Sequence, residues 1–367
     1  MTAPVAPHPP PRFSVCIPAY NRAAELPLLL DSIFAQDFDD YEVVVCEDGS
    51  PQRADIRAVV AAYARRHPGR VCYFENAENL GYDGNFRELV RRARGTFCFI
   101  MGNDDVVAPG ALATVAEALD RYAASGVEVG VVLRSYAFFR GTPDNVITVS
   151  RYFPHEMLFA PGPDTVVTFF RRLVSMSGIV LHRAEALRHE TDRFDGTLFY
   201  QQHLASHILM HLHGLFLPQV LAYFRKGGVP EFGTSARERG KWTPGRQPPE
   251  TSLRMLRAHL DIAAHVDATY GVRVRDRVHR DLGNYMYPTF AHQAHEPLPV
   301  FARFYADLLR MGFWRYPLVH AYFAATALLG RDRTDGVVHW ARRRLGHTPV
   351  MGERPRPAAT RAVSSRS

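Results

Sequence analysis

"FSVCIPAYNRAAELPLLLDSIFAQDFDDYEVVVCEDGS" (Phe13–Ser50) contains an apolar run, a helical pattern and a second apolar run in succession. Phe13–Tyr20 reads as a buried strand. Apolar residues then recur at helical intervals from Ala23 to about Ala35, and "YEVVVCED" (Tyr41–Asp48) reads as a second buried strand. Downstream the same alternation continues. "RADIRAVVAAYARRH" (Arg53–His67) is helical, "RVCYFEN" (Arg70–Asn76) a strand, "GNFRELVRRA" (Gly84–Ala93) a helix and "GTFCFIMG" (Gly95–Gly102) a strand. A helix over "GALATVAEALDRYAA" (Gly110–Ala124) and a strand over "VEVGVVLRSYAFF" (Val127–Phe139) complete the series. Strand and helix units of this length predict an α/β fold: a mostly parallel sheet sandwiched between helical layers.

Composition agrees with a folded body. The 367 residues are 47% apolar and 22% charged, which excludes a small disulfide scaffold and a disordered chain. Four cysteines, Cys16, Cys46, Cys72 and Cys98, fall one in each of the first four strands, so they are expected to be reduced core residues. The net charge of +7 is unevenly placed. From Arg331 onward nine arginines face three acids, which accounts for six of those seven charges and suits a phosphate or an anionic membrane surface as readily as solvent. Residues 1–11 ("MTAPVAPHPPP") carry no signal-peptide pattern and read as a disordered lead-in, and no run is long enough for a membrane span.

The expected organisation is a catalytic domain over 12–226, a linker or lid over 227–250, a helical appendage over 251–346 and a disordered basic tail over 347–367. Inside the first unit, Gly141–Pro163 reads as loop, Thr197 to about His213 as a helix, and "GLFLPQVLAYFRKGG" (Gly214–Gly228) as a return strand.

In a parallel sheet, ligands gather beyond the carboxyl ends of the strands. Three polar turns fall there: "PAYNR" after the first strand, "EDGS" after the second and "GNDD" after the fourth. Asp104 and Asp105 are adjacent carboxylates at the mouth of a very apolar strand, an arrangement that a hard divalent cation, Mg²⁺ or Mn²⁺, would relieve. Glu47 and Asp48 face the same crevice. Ala19, Tyr20, Asn21 and Arg22 occupy the turn where a glycine-rich phosphate loop would stand, which disfavours a dehydrogenase or a P-loop enzyme.

Together, "VCIPAYNR", "VVVCEDGS", "NLGYDGNFREL" and "FIMGNDDVVAPGAL" resemble, in order, the inverting family 2 glycosyltransferases of the GT-A fold, over roughly the first 130 residues. The resemblance implies a Rossmann-like GT-A α/β/α sandwich with a C-terminal helical extension, and a nucleoside-diphosphate sugar, UDP- or dTDP-sugars favoured, lying across the strand ends. Pro18, Tyr20, Asn21 and Glu25 would lie near the base, Asp48 on base or ribose, and Asn79, Gly81, Met101, Asn103 and Asp104 along the donor. Asp104, with Asp105 beside it, would hold Mn²⁺ or Mg²⁺. Arg225 and Lys226 would add positive charge over the diphosphate if 227–250 folds back. Two departures stand out: Gly102 replaces the first acid of the metal motif, and Tyr200 and Gln201 stand where the family has the glutamate-aspartate pair that includes its base. An amide cannot accept a proton, which leaves Asp195, the preferred base, and His203. Asp195 could instead cap the helix near Thr197. His203 and His207 stand at i and i+4 without an intervening catalytic carboxylate, and with His211 and His213 are expected to be packed or surface side chains.

The expected acceptor is a saccharide or a lipid-linked saccharide, in cell-surface glycan or other glycoconjugate synthesis. Aromatic residues interleaved with arginines in "FARFYADLLRMGFWRYPLVHAYFAATALL" suit peripheral contact with the inner face of a membrane by a cytoplasmic protein, an assembly interface, or an ordinary helical core. No nucleic acid is expected as partner. Two other readings are a non-catalytic nucleotide-sugar scaffold and, disfavoured by the first turn, a sugar-phosphate nucleotidyltransferase.

Overall fold

The computed structural model describes residues 10–227, 231–244 and 247–345. Most of the expected lead-in and the tail beyond residue 346 lie outside these. The chain opens with β1 (Phe13–Ala19), α1 (Leu26–Phe34), β2 (Tyr41–Glu47), α2 (Arg53–Arg66), β3 (Val71–Glu75), α3 (Gly81–Arg92) and β4 (Phe97–Ile100). There follow β5 (Val106–Val107), α4 (Ala111–Ala123), β6 (Val129–Arg140), β7 (Thr142–Ser150), β8 (Met157–Phe159), α5 (Pro163–Phe170), β9 (Val180–His182), α6 (Arg183–Arg188), α7 (Tyr200–His211) and β10 (His213–Arg225). The described residues end with the α-helices α8 (Pro249–Tyr270), α9 (Val274–Asn284), α10 (Tyr287–Gln293), α11 (Leu298–Arg310) and α12 (Pro317–Leu345), the last broken at Gly330 by a non-helical φ of 73°.

The central path of the sheet runs β3-β2-β1-β4-β9-β6-β10-β5, with β7 pairing β6 and β8 pairing β10. It is parallel where strand and helix alternate, among β1 to β4, and β6 also pairs β10 in parallel. Beyond β4 the short strands β9, β5, β7 and β8 add antiparallel, which makes the whole sheet mixed. Side-chain alternation sorts the core onto two faces. Val15, Ile17, Val43 and Val45 point to the layer of α1, α2 and α4, whereas Cys16, Val44 and Cys46 point to that of α3, α5 and α7. Leu26, Leu29, Leu30 and Ile33 give α1 its buried stripe at helical spacing. On the other face α7 lies against the backbone of β6. A Cβ on Gly130 would meet Ile208 at 2.4 Å and Leu212 at 2.6 Å, so only glycine allows that approach.

Two segments differ from the sequence expectation. Gly141–Pro163, read as loop, contains β7 and β8. Val146, Ile147 and Val149 of β7 are exposed on a hairpin arm, and Pro143, Asp144 and Asn145 mask the strand signal. The C-terminal helices also merge with the body. Leu253, Leu260, Ile262 and Val266 of α8 belong to the same apolar cluster as Phe170 of α5 and Leu204 and Ile208 of α7. The four cysteines are free, and all but the half-buried Cys72 are fully buried.

Candidate active site at the strand ends

Parallel pairing of β1 with β2 and with β4 brings their carboxyl ends to one edge, with Ala19 opposite Glu47 and Cys16 opposite Ile100. The three polar turns therefore meet around a cavity of about 260 Å³. Pro18, Tyr20, Arg22, Asp48, Asn79 and Gly81 line one part. Gly102, Asn103, Asp104, Tyr82, Asn85 and Met176 line another, and Glu231, Phe232, Thr234 and Glu238 close it from the far side. The first turn is backbone-strained. Asn21 and Arg22 have φ of 54° and 60°, and the turn is held by Asn103 Nδ2 donating to the Asn21 carbonyl at 2.9 Å and by the Ala23 N–H donating to Gln52 at 2.9 Å.

Asp48 is 3% exposed, and its carboxylate accepts from Asn76 Nδ2 (2.8 Å) and from the N–H groups of Leu80 (2.9 Å) and Gly81 (2.9 Å). Burial pushes its carboxyl up to about 7 against these three donors, and nearby Glu238 adds to the rise. Asp48 therefore docks the start of α3 against the cavity. Asp104 lines the cavity and pairs with Arg22. Asp105 does not line it. Its oxygens accept from Ser177 Oγ and from the Arg225 N–H (3.0 Å), and burial together with Asp104 pushes its carboxyl up to about 7. Ser177 in turn receives the Gly102 N–H at 2.9 Å. A Cβ on Gly102 would stand 3.2 Å from both Asp105 Oδ2 and Ser177 Oγ, so a side chain in the place of the motif's first acid would have to push on that hydrogen-bonded pair.

Asn79 and Gly81 line the cavity, with Asn79 Oδ1 accepting the Gly81 N–H at 2.9 Å. Met101 is buried in the core, and Glu25 sits beyond the cavity at the N-terminal boundary of α1. Arg225 reaches away from it, donating to the carbonyls of Asp104 (3.1 Å) and Gly141 (3.2 Å), while Lys226 lies over the Phe138 ring. The cationic side chain that lines the cavity among the described residues is Arg22.

Neither base candidate, Asp195 or His203, lines the cavity, and Gln201 does not line it either. Asp195 is clasped by Arg87 and Arg237 with its side chain 5% exposed. Its acidity serves that ion pair, and the N–H groups of Leu198 and Tyr200 at the helix start are taken by Asp83, at 2.9 and 3.0 Å. Gln201 is 1% exposed, accepting from the Tyr82 hydroxyl (2.9 Å) and donating to the carbonyls of Leu173 (3.2 Å) and Val174 (3.1 Å). An amide fits here because both donors and acceptors are needed. His203 is 1% exposed and donates to the His189 carbonyl at 2.7 Å.

Residues 231–244, by contrast, fold back over the site. Glu238 accepts the N–H groups of Tyr82 (2.7 Å) and Gly233 (2.8 Å), Trp242 Nε1 donates to the Gly196 carbonyl at 2.9 Å, and Asn21 Nδ2 donates to Glu231 at 3.0 Å. Sequence reading singled out none of Glu231, Glu238, Tyr82 or Met176 as site residues; their partners lie far away in the chain.

The signature of glycosyl transferase family 2 matches residues 14–178, a span that carries β1 to β4 and all three polar turns. The likeness to glycosyl transferase family 2 thus covers a little under half of the chain. Curated relatives include an abequosyltransferase of Salmonella typhimurium, 33% identical over 30% of this chain and 33% of that protein. A second is the GalNAc(5)-diNAcBac-PP-undecaprenol beta-1,3-glucosyltransferase of Campylobacter jejuni, 34% identical over 29% of this chain and 33% of that protein. The matched stretches thus span about a third of these relatives' own length. Among solved structures, S. aureus TarS 1–349 in complex with UDP-GlcNAc superposes with a TM-score of 0.57 at 15% identity, covering 92% of each chain. At that identity the likeness is one of fold, and it extends over the C-terminal helices as well as the sheet.

Proposed function

We propose that the chain is an inverting glycosyltransferase that moves a sugar from a nucleoside-diphosphate sugar to an acceptor hydroxyl in glycan or glycoconjugate synthesis. The observation that carries this reading is the cavity itself, which lies at the carboxyl ends of β1, β2 and β4 and is lined by Asp48, Asn79, Arg22 and Asp104. Pro18 and Tyr20 offer a wall for the base, and Asn79 and Asp48 offer polar groups for base and ribose. Relatives named as an abequosyltransferase and a glucosyltransferase agree with this class.

The electrostatics favour a bound cation. Four carboxylates, Asp48, Asp104, Glu231 and Glu238, and one guanidinium, Arg22, line the cavity among the described residues, and a diphosphate would add further negative charge. One carboxylate plus phosphate oxygens suits Mg²⁺ or Mn²⁺, so Asp104 is the residue to hold it, with Asp105 fixing the loop from behind. Such an ion supplies charge neutralisation on the leaving diphosphate. Arg22, released from Asp104, is placed to face the same phosphates.

Glu231 is the proton acceptor this geometry favours. It is the carboxylate on the 231–244 segment that stays partly exposed in the cavity, where it accepts from the Asn21 amide, whereas Glu238 is committed to two backbone N–H groups. The segment would also exclude water from the donor. The test is nucleoside diphosphate release from UDP-, dTDP-, GDP- and CDP-sugars with Mn²⁺ or Mg²⁺, with and without saccharide and lipid-linked acceptors. Acceptor-stimulated release supports the reading, and donor binding without release across the panel would replace it with the scaffold reading. Glu231→Gln should lower kcat by about 100-fold or more while leaving the donor Kd unchanged.

Trp314, Leu328, Leu329, Val337 and Trp340 are exposed on the C-terminal helices near Arg315, Arg331 and Arg333. No helix among the described residues is long and apolar enough to cross a membrane. Peripheral contact with an anionic bilayer is the partner we infer for this surface, which suits a lipid-linked acceptor.

A further inference from the structure

A second polar cluster lies away from the donor cavity, where α7 packs against α8. His203 and His207 project from α7, and His265 arrives from α8. One ring nitrogen from each lies within 4.8 Å of the other two. Ring centroids are 4.7 Å apart for His203 and His207, 5.2 Å for His207 and His265, and 5.7 Å for His203 and His265.

The hydrogen bonds define the tautomer of His203. Its Nε2 faces the His189 carbonyl at 2.7 Å, and a carbonyl only accepts, so Nε2 carries the proton and Nδ1 keeps its lone pair. That Nδ1 is buried and has no partner. His207 presents Nδ1 to the Tyr270 hydroxyl at 2.9 Å, and its Nε2 is likewise buried without a partner. Both side chains are nearly sealed, at 1% and 2% exposed. Leaving two such nitrogens unsatisfied is costly unless something occupies the space between them. A carbonyl behind one imidazole and a tyrosine hydroxyl behind the other are the outer hydrogen bonds that orient metal-bound histidines.

We propose that His203, His207 and His265 form a site for a borderline transition-metal cation, Zn²⁺ above all, that ties α7 to α8. Three neutral imidazoles without a carboxylate select Zn²⁺ over the Mg²⁺ or Mn²⁺ suited to Asp104. Burial keeps the rings neutral, pushing His203 down to about 4 and His207 down to about 2. Zn–N bonds of about 2.0–2.1 Å draw the three nitrogens closer than 4.8 Å, which small rotations of the rings provide. His265 is only half-buried, leaving an entry path and a fourth position for water. Because Gln201, two residues before His203 on α7, holds Tyr82 at the donor cavity, the ion would brace the catalytic body against the helical extension at that junction.

The test uses the full chain, free of any polyhistidine tag and stripped with a chelator, titrated with ZnCl₂ and, as a spectroscopic probe, CoCl₂. We expect one equivalent of zinc by mass spectrometry of the washed protein, a tetrahedral Co²⁺ absorption band, and a rise in Tm on zinc addition. His265→Gln, at the half-exposed position, should fold as the stripped parent does and weaken zinc binding by about tenfold or more. Asp104→Asn should retain the zinc and the cobalt band. Equal zinc uptake by His265→Gln and parent, or less than one equivalent in the parent with no change in Tm, would overturn the proposal and leave a packed histidine cluster.

Discussion

Gly102 illustrates how one position can follow from its neighbours. The Asp105, Ser177 and Gly102 hydrogen bonds fill the space that a side chain would need, and fully buried Arg134 holds the other side of the same segment through the carbonyls of Ser175 (2.8 Å) and Ser177 (2.7 Å). Restoring the family's acid with Gly102→Asp should therefore destabilise the fold by about 1–3 kcal/mol in urea unfolding, without tightening Mn²⁺ binding. Asp48 gives a pH signature. Its folded carboxyl, at about 7, lies above the ordinary value of 3.8, so the folded state holds a proton that the unfolded chain has released. The contribution is fully present below about pH 4 and is lost as pH rises through about 7. In Asp48→Asn the donor-free protein should lose less Tm than the parent between about pH 5 and pH 8, read by thermal melts. His259 has the opposite sign. Burial beside the Gln202 amide pushes it down to about 3, so its contribution is present above its ordinary value of 6.5 and is lost as pH falls below that.

The 231–244 segment is an element without regular secondary structure, yet it is pinned at several points: Glu238 on the start of α3, Arg237 on Asp195 and Trp242 on Gly196. Gly81 has a φ of 78°, and a Cβ there would meet Ser235 Oγ at 2.6 Å and Glu238 Oε1 at 2.7 Å, so the close approach of α3 to this segment depends on glycine. Trp242 is 3% exposed and packs against Phe232 of the same segment. Trp242→Ala should loosen the segment selectively, seen as faster limited proteolysis between 231 and 244. Donor KM should rise several-fold and acceptor-independent donor hydrolysis should increase, with the global Tm little changed. An unchanged proteolysis rate and unchanged kinetics would assign the segment a passive role.

Taken whole, the molecule is one sheet with two unequal helical layers, the larger of which includes the C-terminal helices through the apolar cluster of α5, α7 and α8. The half-buried and exposed aromatics of the last helices lie in the same part of the chain as the arginine excess. Trp314→Ser combined with Trp340→Ser should reduce co-sedimentation with vesicles containing anionic lipid, leaving turnover of a water-soluble acceptor analogue unchanged. Binding that persists in the double variant would assign membrane contact to charge alone.

Residues close in sequence carried the reading of β1 to β4, their buried cysteines and the three polar turns, because periodicity and turn chemistry are local properties of the chain. The alternation of Val15 and Ile17 with Cys16 states which face each side chain takes before any partner is known. Asn103, Asp104 and Asp48 were visible for the same reason: parallel pairing brings their turns to one edge. Asp195 and Glu231 were not legible in this way. Whether an acid serves an ion pair or faces a cavity depends on which distant segment meets it, and here Arg87 meets Asp195 across 108 residues while Asn21 meets Glu231 across 210. The same holds for His265, which joins His203 and His207 only because α8 docks on α7. Long-range closure depends on the packing of the whole core, which leaves no periodic trace in the chain.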